Sequence, residues 1–175
     1  MTQPGKKLTF MGSEIGQFKE WDYKGQIEWF LLDYPAHAML QLYNACLHHL
    51  YLKTPALWEQ DDSWQGFGWI DADNRDMSIL SYRRIDKSGR EVIVLLNFTP
   101  VDRADFTIGV PYKGSYKEIF TSDSQHFGGG GVENGTLQTT AGTWGAFDQY
   151  LTLHLPGYGA VLLQRTDGAE PSDMV

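Results

Sequence analysis

The chain has 175 residues, a formal net charge of −8, 42% apolar and 14% aromatic side chains, and a single cysteine, Cys46. That length supports a real hydrophobic core in one or two small domains. The acidic balance argues against nucleic acid as a partner, because its binders carry basic faces, and one cysteine excludes an internal disulfide.

No basic-then-apolar leader opens the chain and no apolar run is long enough to span a bilayer, so no membrane partner is expected. Leu8, Thr9, Phe10 and Met11 form an apolar run that breaks at Gly12 and predicts a strand over residues 8–11. A parallel strand needs neighbours on both sides, and none precede this one, so the chain reads as the tail end of something larger, and the segment is expected to be disordered, refolded onto the sandwich predicted further along the chain, or paired between copies. Residues 12–33 predict a long loop carrying Ser13, Glu14, Gln17, Glu20, Trp21 and Trp29. A strand that ends in glycine and runs into a polar, aromatic loop is how α/β barrels present ligand-facing residues. Residues 35–52 predict a helix. Pro35 suits its first position, and Met39, Tyr43, Cys46, Leu47 and Leu50 form one apolar stripe. Within that stripe Cys46 reads as a packed thiol, and it fits a reducing, cytoplasmic compartment. Thr54 before Pro55 ends the helix.

From Pro55 onward the pattern alternates. Strands are predicted over 66–70 and 77–84, with Leu80 and Tyr82 on one face, and a hairpin turn at Lys87, Ser88, Gly89 and Arg90 leads into 91–98. Val92, Ile93, Val94, Leu95 and Leu96 are apolar on both faces and predict a central strand. Further strands are predicted over 104–110, 115–121, 151–155 and 160–164. The expected fold is mainly β: an antiparallel β-sandwich preceded by the last β/α unit of a truncated TIM-type barrel. The expected division is a barrel remnant over 1–54, a sandwich over 55–166 and a flexible tail over 167–175, with mobility setting in from Thr166.

Specific blocks carry a resemblance. Pro4 to Leu8, Met11-Gly12, Glu14, Gly16-Gln17, Glu20-Trp21, Trp29 and the run Leu31-Leu32-Asp33-Tyr34-Pro35 with His37 resemble the last barrel strand and loop of bacterial 1,4-α-glucan (glycogen) branching enzymes, members of the α-amylase superfamily. The likeness continues through Gly66-Phe67, Trp69-Ile70-Asp71, Ser81-Tyr82-Arg83, Asn97-Phe98-Thr99-Pro100, Gly109-Val110-Pro111, Phe127-Gly128-Gly129 and Asn134-Gly135, and so covers nearly the whole chain. It implies the C-terminal part of an enzyme that cuts an α-1,4 glucan, holds the segment covalently and passes it to a 6-hydroxyl in glycogen synthesis. It also implies that the catalytic acids lie on earlier barrel strands, so this chain alone is expected to be inactive. Its implied partners are an α-glucan and the missing catalytic barrel, and no cofactor is expected. A stand-alone carbohydrate-binding sandwich and the C-terminal part of another α-amylase-superfamily enzyme are the alternatives.

Glu14 and Glu20 suggest paired carboxylates, but glycoside chemistry needs them about 5–5.5 Å apart for retention and nothing in the sequence sets that distance. Glu14, Gln17, Trp21 and Trp29 are better read as substrate-binding residues, since hydroxyls want carboxylates and amides and pyranose faces stack on indoles. Wedging of the two Trp rings against the fold is the other reading, and both stay open. Trp58 and Trp64, beside the acidic stretch Glu59-Gln60-Asp61-Asp62, are expected to be exposed and are a candidate glucan platform, whereas Trp69 is expected in core or interface. His48-His49 lacks a third ligand at metal spacing, and Asp71, Asp73 and Asp76 lack the glycine and terminal glutamate of a calcium loop. Gly128 to Gly131 has no following Lys-Ser or Lys-Thr and reads as a flexible loop, not a phosphate loop.

Overall fold

The computed structural model describes residues 1–166; the predicted tail over 167–175 lies outside them. Its single α-helix, α1 (Pro35–Lys53), is followed by nine strands: β1 (Phe67–Asn74), β2 (Ile79–Ile85), β3 (Glu91–Asn97), β4 (Arg103–Val110), β5 (Ser115–Thr121), β6 (Thr136–Gln138), β7 (Thr140–Trp144), β8 (Phe147–Leu155) and β9 (Ala160–Arg165). They form a six-stranded sheet of order β1-β2-β3-β9-β5-β6 and a three-stranded sheet of order β4-β8-β7. Every pairing is antiparallel. No helix among the described residues is long and apolar enough to cross a membrane.

Two apolar clusters flank the larger sheet. Ile93 and Leu95 of β3 face the three-stranded sheet and pack with Phe106, Ile108, Leu151, Leu153 and Leu155. Val92 and Val94 point the other way, to Tyr82, Leu162, Ala56 and Leu57, with Leu50 and Tyr51 of α1 closing over them. Both faces of β3 are therefore covered, which is why its sequence runs apolar without alternation. Strands β6 and β7 have no counterpart in the sequence reading. Three residues, Thr136 to Gln138, are too few to show a period, and Gly142 sits inside β7.

Helix α1 begins at Pro35 and ends where Thr54 precedes Pro55, as its residues predict. Its apolar stripe is only half-buried. The helix packs on the sandwich along one flank, where the Tyr43 ring meets Phe120 at 5.6 Å and Phe127 at 5.4 Å. Leu42 and Leu52, off that flank, are exposed.

Residues 8–11, an apolar run that reads locally as a strand, form none and join no ladder among the described residues. The residues just ahead of this run are moored instead. Thr2 Oγ1 lies 2.6 Å from the Tyr82 hydroxyl, Arg84 donates to the Thr2 carbonyl at 2.8 Å, and Lys7 reaches Asp61 at 3.3 Å. Without flanking strands its backbone has no ladder to join. The glycine run, expected to be loose, is held, and so is Thr166, the last described residue. Asp123 gathers the glycine run by accepting from Gly130 N and Val132 N, each at 2.9 Å, and from Gly131 N at 2.7 Å. Thr166 donates from its backbone to Ser115 at 2.9 Å.

The β2–β3 hairpin is built around one buried carboxylate. Asp86 accepts from Ser88 N (2.9 Å), Ser88 Oγ (2.7 Å), Arg90 N (2.9 Å) and Arg90 Nε (3.0 Å), while Gly89 takes the left-handed conformation (φ 83°) the turn needs. Burial on its own would raise the Asp86 pKa, but the hydrogen bonds from Ser88 and Arg90 outweigh it and hold the group below its ordinary value. A depressed carboxylate stabilises the fold above its unfolded-state pKa and loses that contribution as pH falls through the folded one. Asp86→Asn should therefore cost about 1–3 kcal/mol at neutral pH. Urea unfolding at pH 7 and near pH 3 should show the gap to the unsubstituted chain closing in acid.

Candidate functional site

The loop from Gly12 to Tyr34 is built on α1. Gly12 (φ 83°) and Gly16 (φ 67°) bracket a 3-10 turn, Ser13–Ile15. A Cβ on Gly16 would strain the backbone and lie 3.0 Å from Leu40 Cδ2, so only glycine lets the turn sit this close to the helix. Ile15 is buried, and its carbonyl is 2.7 Å from His37 Nδ1. Asn44 Nδ2 donates to the Glu14 carbonyl at 3.0 Å and to the Leu40 carbonyl at 3.0 Å. A second 3-10 turn, Trp29–Asp33, is anchored by buried Leu31.

Between those turns Gln17 and Glu28 brace the loop. Gln17 Oε1 accepts from Glu28 N at 3.0 Å and its Nε2 donates to the Lys19 carbonyl at 2.9 Å. Glu28 Oε2 accepts from Phe18 N and Lys19 N at 3.2 and 3.4 Å. Both ends of the Gln17 amide are thus engaged inside the loop. Trp21 is 72% exposed with φ 52°, and its ring meets Phe10 edge-on at 5.6 Å. Trp29 is 53% exposed. Glu14 lines a cleft of about 360 Å³ together with Thr9, Gln41 and His48, whose buried Nε2 has no hydrogen-bond partner among the described residues. Phe18, Tyr23, Phe30 and Tyr34 are also exposed, so residues 8–34 present a broad apolar surface. Sequence patterning does not single out Asn44 or Glu28. An amide inside an amphipathic helix and a second acid in a loop are weak signals until the chain is folded.

Trp58 and Trp64 occupy the connection between α1 and β1. Trp64 stands 91% exposed in a 3-10 turn, Trp64–Gly66, that Ser63 caps by accepting from Gln65 N at 3.2 Å. Trp58 is 41% exposed. Neither indole packs on another ring among the described residues, whereas Trp69 sits edge-on to Phe67 at 5.0 Å and to Tyr82 at 5.9 Å while still half exposed. The acidic stretch beside them is not a free anionic surface. Asp61 pairs with Arg84 and Lys7, and Glu59 accepts from Lys87 N at 2.9 Å. Burial pulls the Lys7 ammonium below its ordinary pKa, with Asp61 opposing.

The site residues therefore fall in two places, Glu14, Gln17, Trp21 and Trp29 on the loop against α1, and Trp58 with Trp64 on the connection to the sandwich. Chemically both offer exposed indoles, and the loop adds a carboxylate at a small cleft.

Comparison with known proteins agrees along the chain. The "1,4-alpha-glucan branching enzyme GlgB" of Methylobacillus flagellatus is 44% identical over 165 residues, covering 94% of this chain and 23% of that protein. Its namesake in Lactobacillus acidophilus is 43% identical over 169 residues (95% and 26%), and that of Aquifex aeolicus 42% over 163 (92% and 26%). The chain thus spans about a quarter of the length of the curated relatives it matches. Among solved structures, the pullulanase SAP of group B Streptococcus aligns with 79% of this chain and 18% of its own, at 19% identity and a TM-score of 0.49. Residues 69–166, more than half of the chain and spanning all nine strands but the first two residues of β1, match the alpha amylase C-terminal all-beta domain, and the chain belongs to that family.

Proposed function

We propose that this chain is the C-terminal part of a 1,4-α-glucan branching enzyme, which moves α-1,4-glucan segments onto a 6-hydroxyl to make α-1,6 branches in glycogen. The observation that carries the reading is identity above 40% over more than nine-tenths of the chain with branching enzymes about four times its length. In this reading residues 1–54 are the last strand, loop and helix of the catalytic barrel, and 55–166 are the all-β domain that braces it. The exposed apolar side chains of residues 8–34 support this, because a patch of that kind marks a surface meant to be covered. Its cover is the rest of the barrel.

Glucan contact then falls to Glu14, Trp21 and Trp29 at the barrel mouth and to Trp58 and Trp64 beyond it. Gln17 shapes the loop through its bonds to Glu28 and Lys19. A cytoplasmic location goes with glycogen synthesis and with the lone, free Cys46. The catalytic acids belong to the upstream part, so this chain brings binding surface and support to the reaction and no acid or nucleophile.

The test is a chimera. Incubated with amylose, the chain alone should produce no α-1,6 linkages by debranching analysis. Grafted in place of the last quarter of the Methylobacillus relative, it should restore branching. Branches made by the chain alone, or a folded chimera that makes none, would overturn the assignment.

A further inference from the structure

The sandwich has a cleft that neither set of candidate residues uses. It lies on the flank where β1 and β4, the end strands of the two sheets, approach each other, and it encloses about 690 Å³. That is the size of a small-ligand site. Its floor is apolar, because Phe106, Ile108 and Ile70 line it and belong to or pack on the inter-sheet core. At one end the tip of the β7–β8 hairpin brings down Trp144, half exposed and tilted against Tyr150 at 6.1 Å. Gly109 makes that approach possible. A Cβ there would stand 2.4 Å from the Trp144 carbonyl oxygen and 2.7 Å from the Phe147 ring.

Two polar groups on β4 complete the wall. Arg103 has a buried Nε with no hydrogen-bond partner among the described residues. Asp105 is exposed, and its carboxylate has no hydrogen bond or ion pair among them. Asp71, on the opposite wall, is already engaged by Asp73 N and Asn74 Nδ2, each at 3.2 Å.

We propose that this cleft holds a stretch of α-glucan, with the Trp144 indole under the apolar face of a pyranose ring and Arg103 and Asp105 on its hydroxyls. A hydroxyl both donates and accepts. A guanidinium, which only donates, and a carboxylate, which only accepts, lining the same cleft match that pair of needs. Other ligand classes fit less well. An anion would face Asp71, Asp102 and Asp105. A cation would find no group of three ligating side chains among the described residues. A purely apolar ligand would leave the Arg103 Nε unpaired, at the cost of a buried unsatisfied donor.

The cleft lies on the face of the six-stranded sheet turned away from α1: Ile70 and Met77 pack toward the inter-sheet core, while Phe67 and Tyr82 pack on the α1 side. Polymer held here is anchored at a distance from the loop of residues 12–34. The inference rests on the glucan reading above and adds a third contact point to it.

Titration of the full chain with maltoheptaose tests it, with cellohexaose as the β-linked control. The unsubstituted chain should bind maltoheptaose and not cellohexaose. Trp144→Ala should weaken binding about tenfold, the loss of one good aromatic contact. Asp105→Asn should weaken it by a smaller factor, and because Asp105 is exposed and unpaired its melting temperature should not move. A Trp58→Ala/Trp64→Ala variant should keep at least the Trp144-dependent part of the binding. The proposal is overturned if the chain binds no maltoheptaose, if cellohexaose binds as tightly, or if neither cleft substitution changes the affinity. Binding lost only in the Trp58/Trp64 variant would remove the cleft and leave the branching-enzyme reading standing, as would a branching chimera whose C-terminal part binds no maltoheptaose.

Discussion

Arg84→Ala should destabilise the chain by about 3–5 kcal/mol, the cost of breaking a buried ion pair from one side. The Arg84 side chain is fully buried on β2 and all of its donor positions lead to different segments. Nη1 donates to the Thr2 carbonyl at 2.8 Å, Nε to the Gly66 carbonyl at 3.2 Å, and Nη2 to the Asp61 carboxylate. Asp61 is held on its other oxygen by Lys7 at 3.3 Å and Tyr51 at 3.5 Å. Removing the guanidinium leaves one oxygen of a mostly buried carboxylate without its partner and frees the N-terminal segment at Thr2. Hydrogen exchange should then rise in residues 1–7 before the sandwich unfolds. Arg84→Met combined with Asp61→Leu should recover most of the loss, because the penalty comes from the orphaned charge rather than from missing attraction. A single Arg84→Ala variant within about 1 kcal/mol of the parent in urea would mean the pair acts like a surface one.

Asn97→Asp should cost about 2–4 kcal/mol at neutral pH, from two broken hydrogen bonds and the carbonyls they leave unpaired. Asn97 ends β3, nearly wholly buried, and uses its whole amide. Its Nδ2 donates to the Val101 carbonyl at 2.9 Å and the Pro156 carbonyl at 3.0 Å, and its Oδ1 accepts from Thr99 N at 3.0 Å and Thr99 Oγ1 at 2.8 Å. A carboxylate keeps the acceptor half and faces the two carbonyls with no proton to give. Its folded pKa would rise above the unfolded value, so the variant loses stability as pH climbs through the carboxylate range and regains it in acid. Thermal melts at pH 4 and pH 7 should therefore diverge between variant and parent. Equal spacing at both pH values would show that the protonation state of residue 97 is irrelevant to the fold.

The motif around Asn97 illustrates what the sequence discloses. Asn97-Phe98-Thr99-Pro100 is visible as a block of likeness, but its physical reason, one amide joining two chain reversals, needs Pro156 from the far end of the chain. The central place of β3 is legible because five consecutive apolar residues can only be hidden between two layers. The end of α1 is legible because Pro55 dictates it locally. Burial of Arg84 is not, since charge reads as exposure until Asp61 arrives from an acidic stretch that itself reads as solvated. The apolar run at residues 8–11 has the look of a strand but finds no ladder among the described residues, and the short strands β6 and β7 leave no periodic trace. Among the candidate residues, the exposure of Trp58 and Trp64 follows from their polar neighbours, but the internal bonds of Gln17 do not follow from anything adjacent to it. The Trp144 cleft joins three segments separated along the chain, so no local pattern announces it.

The pairing of β1 with β2 slips twice, between Trp69 and Asp71 and again between Asp71 and Asn74, and β4 carries a similar slip between Arg103 and Phe106. A regular outer strand is a template on which another copy can add its own. Bulged in this way, each sheet ends in a backbone whose spare amides and carbonyls are out of step with any straight newcomer. Self-association by sheet extension is thereby discouraged on the flank that carries the cleft, and copies of the chain can be crowded together without fusing to their neighbours there.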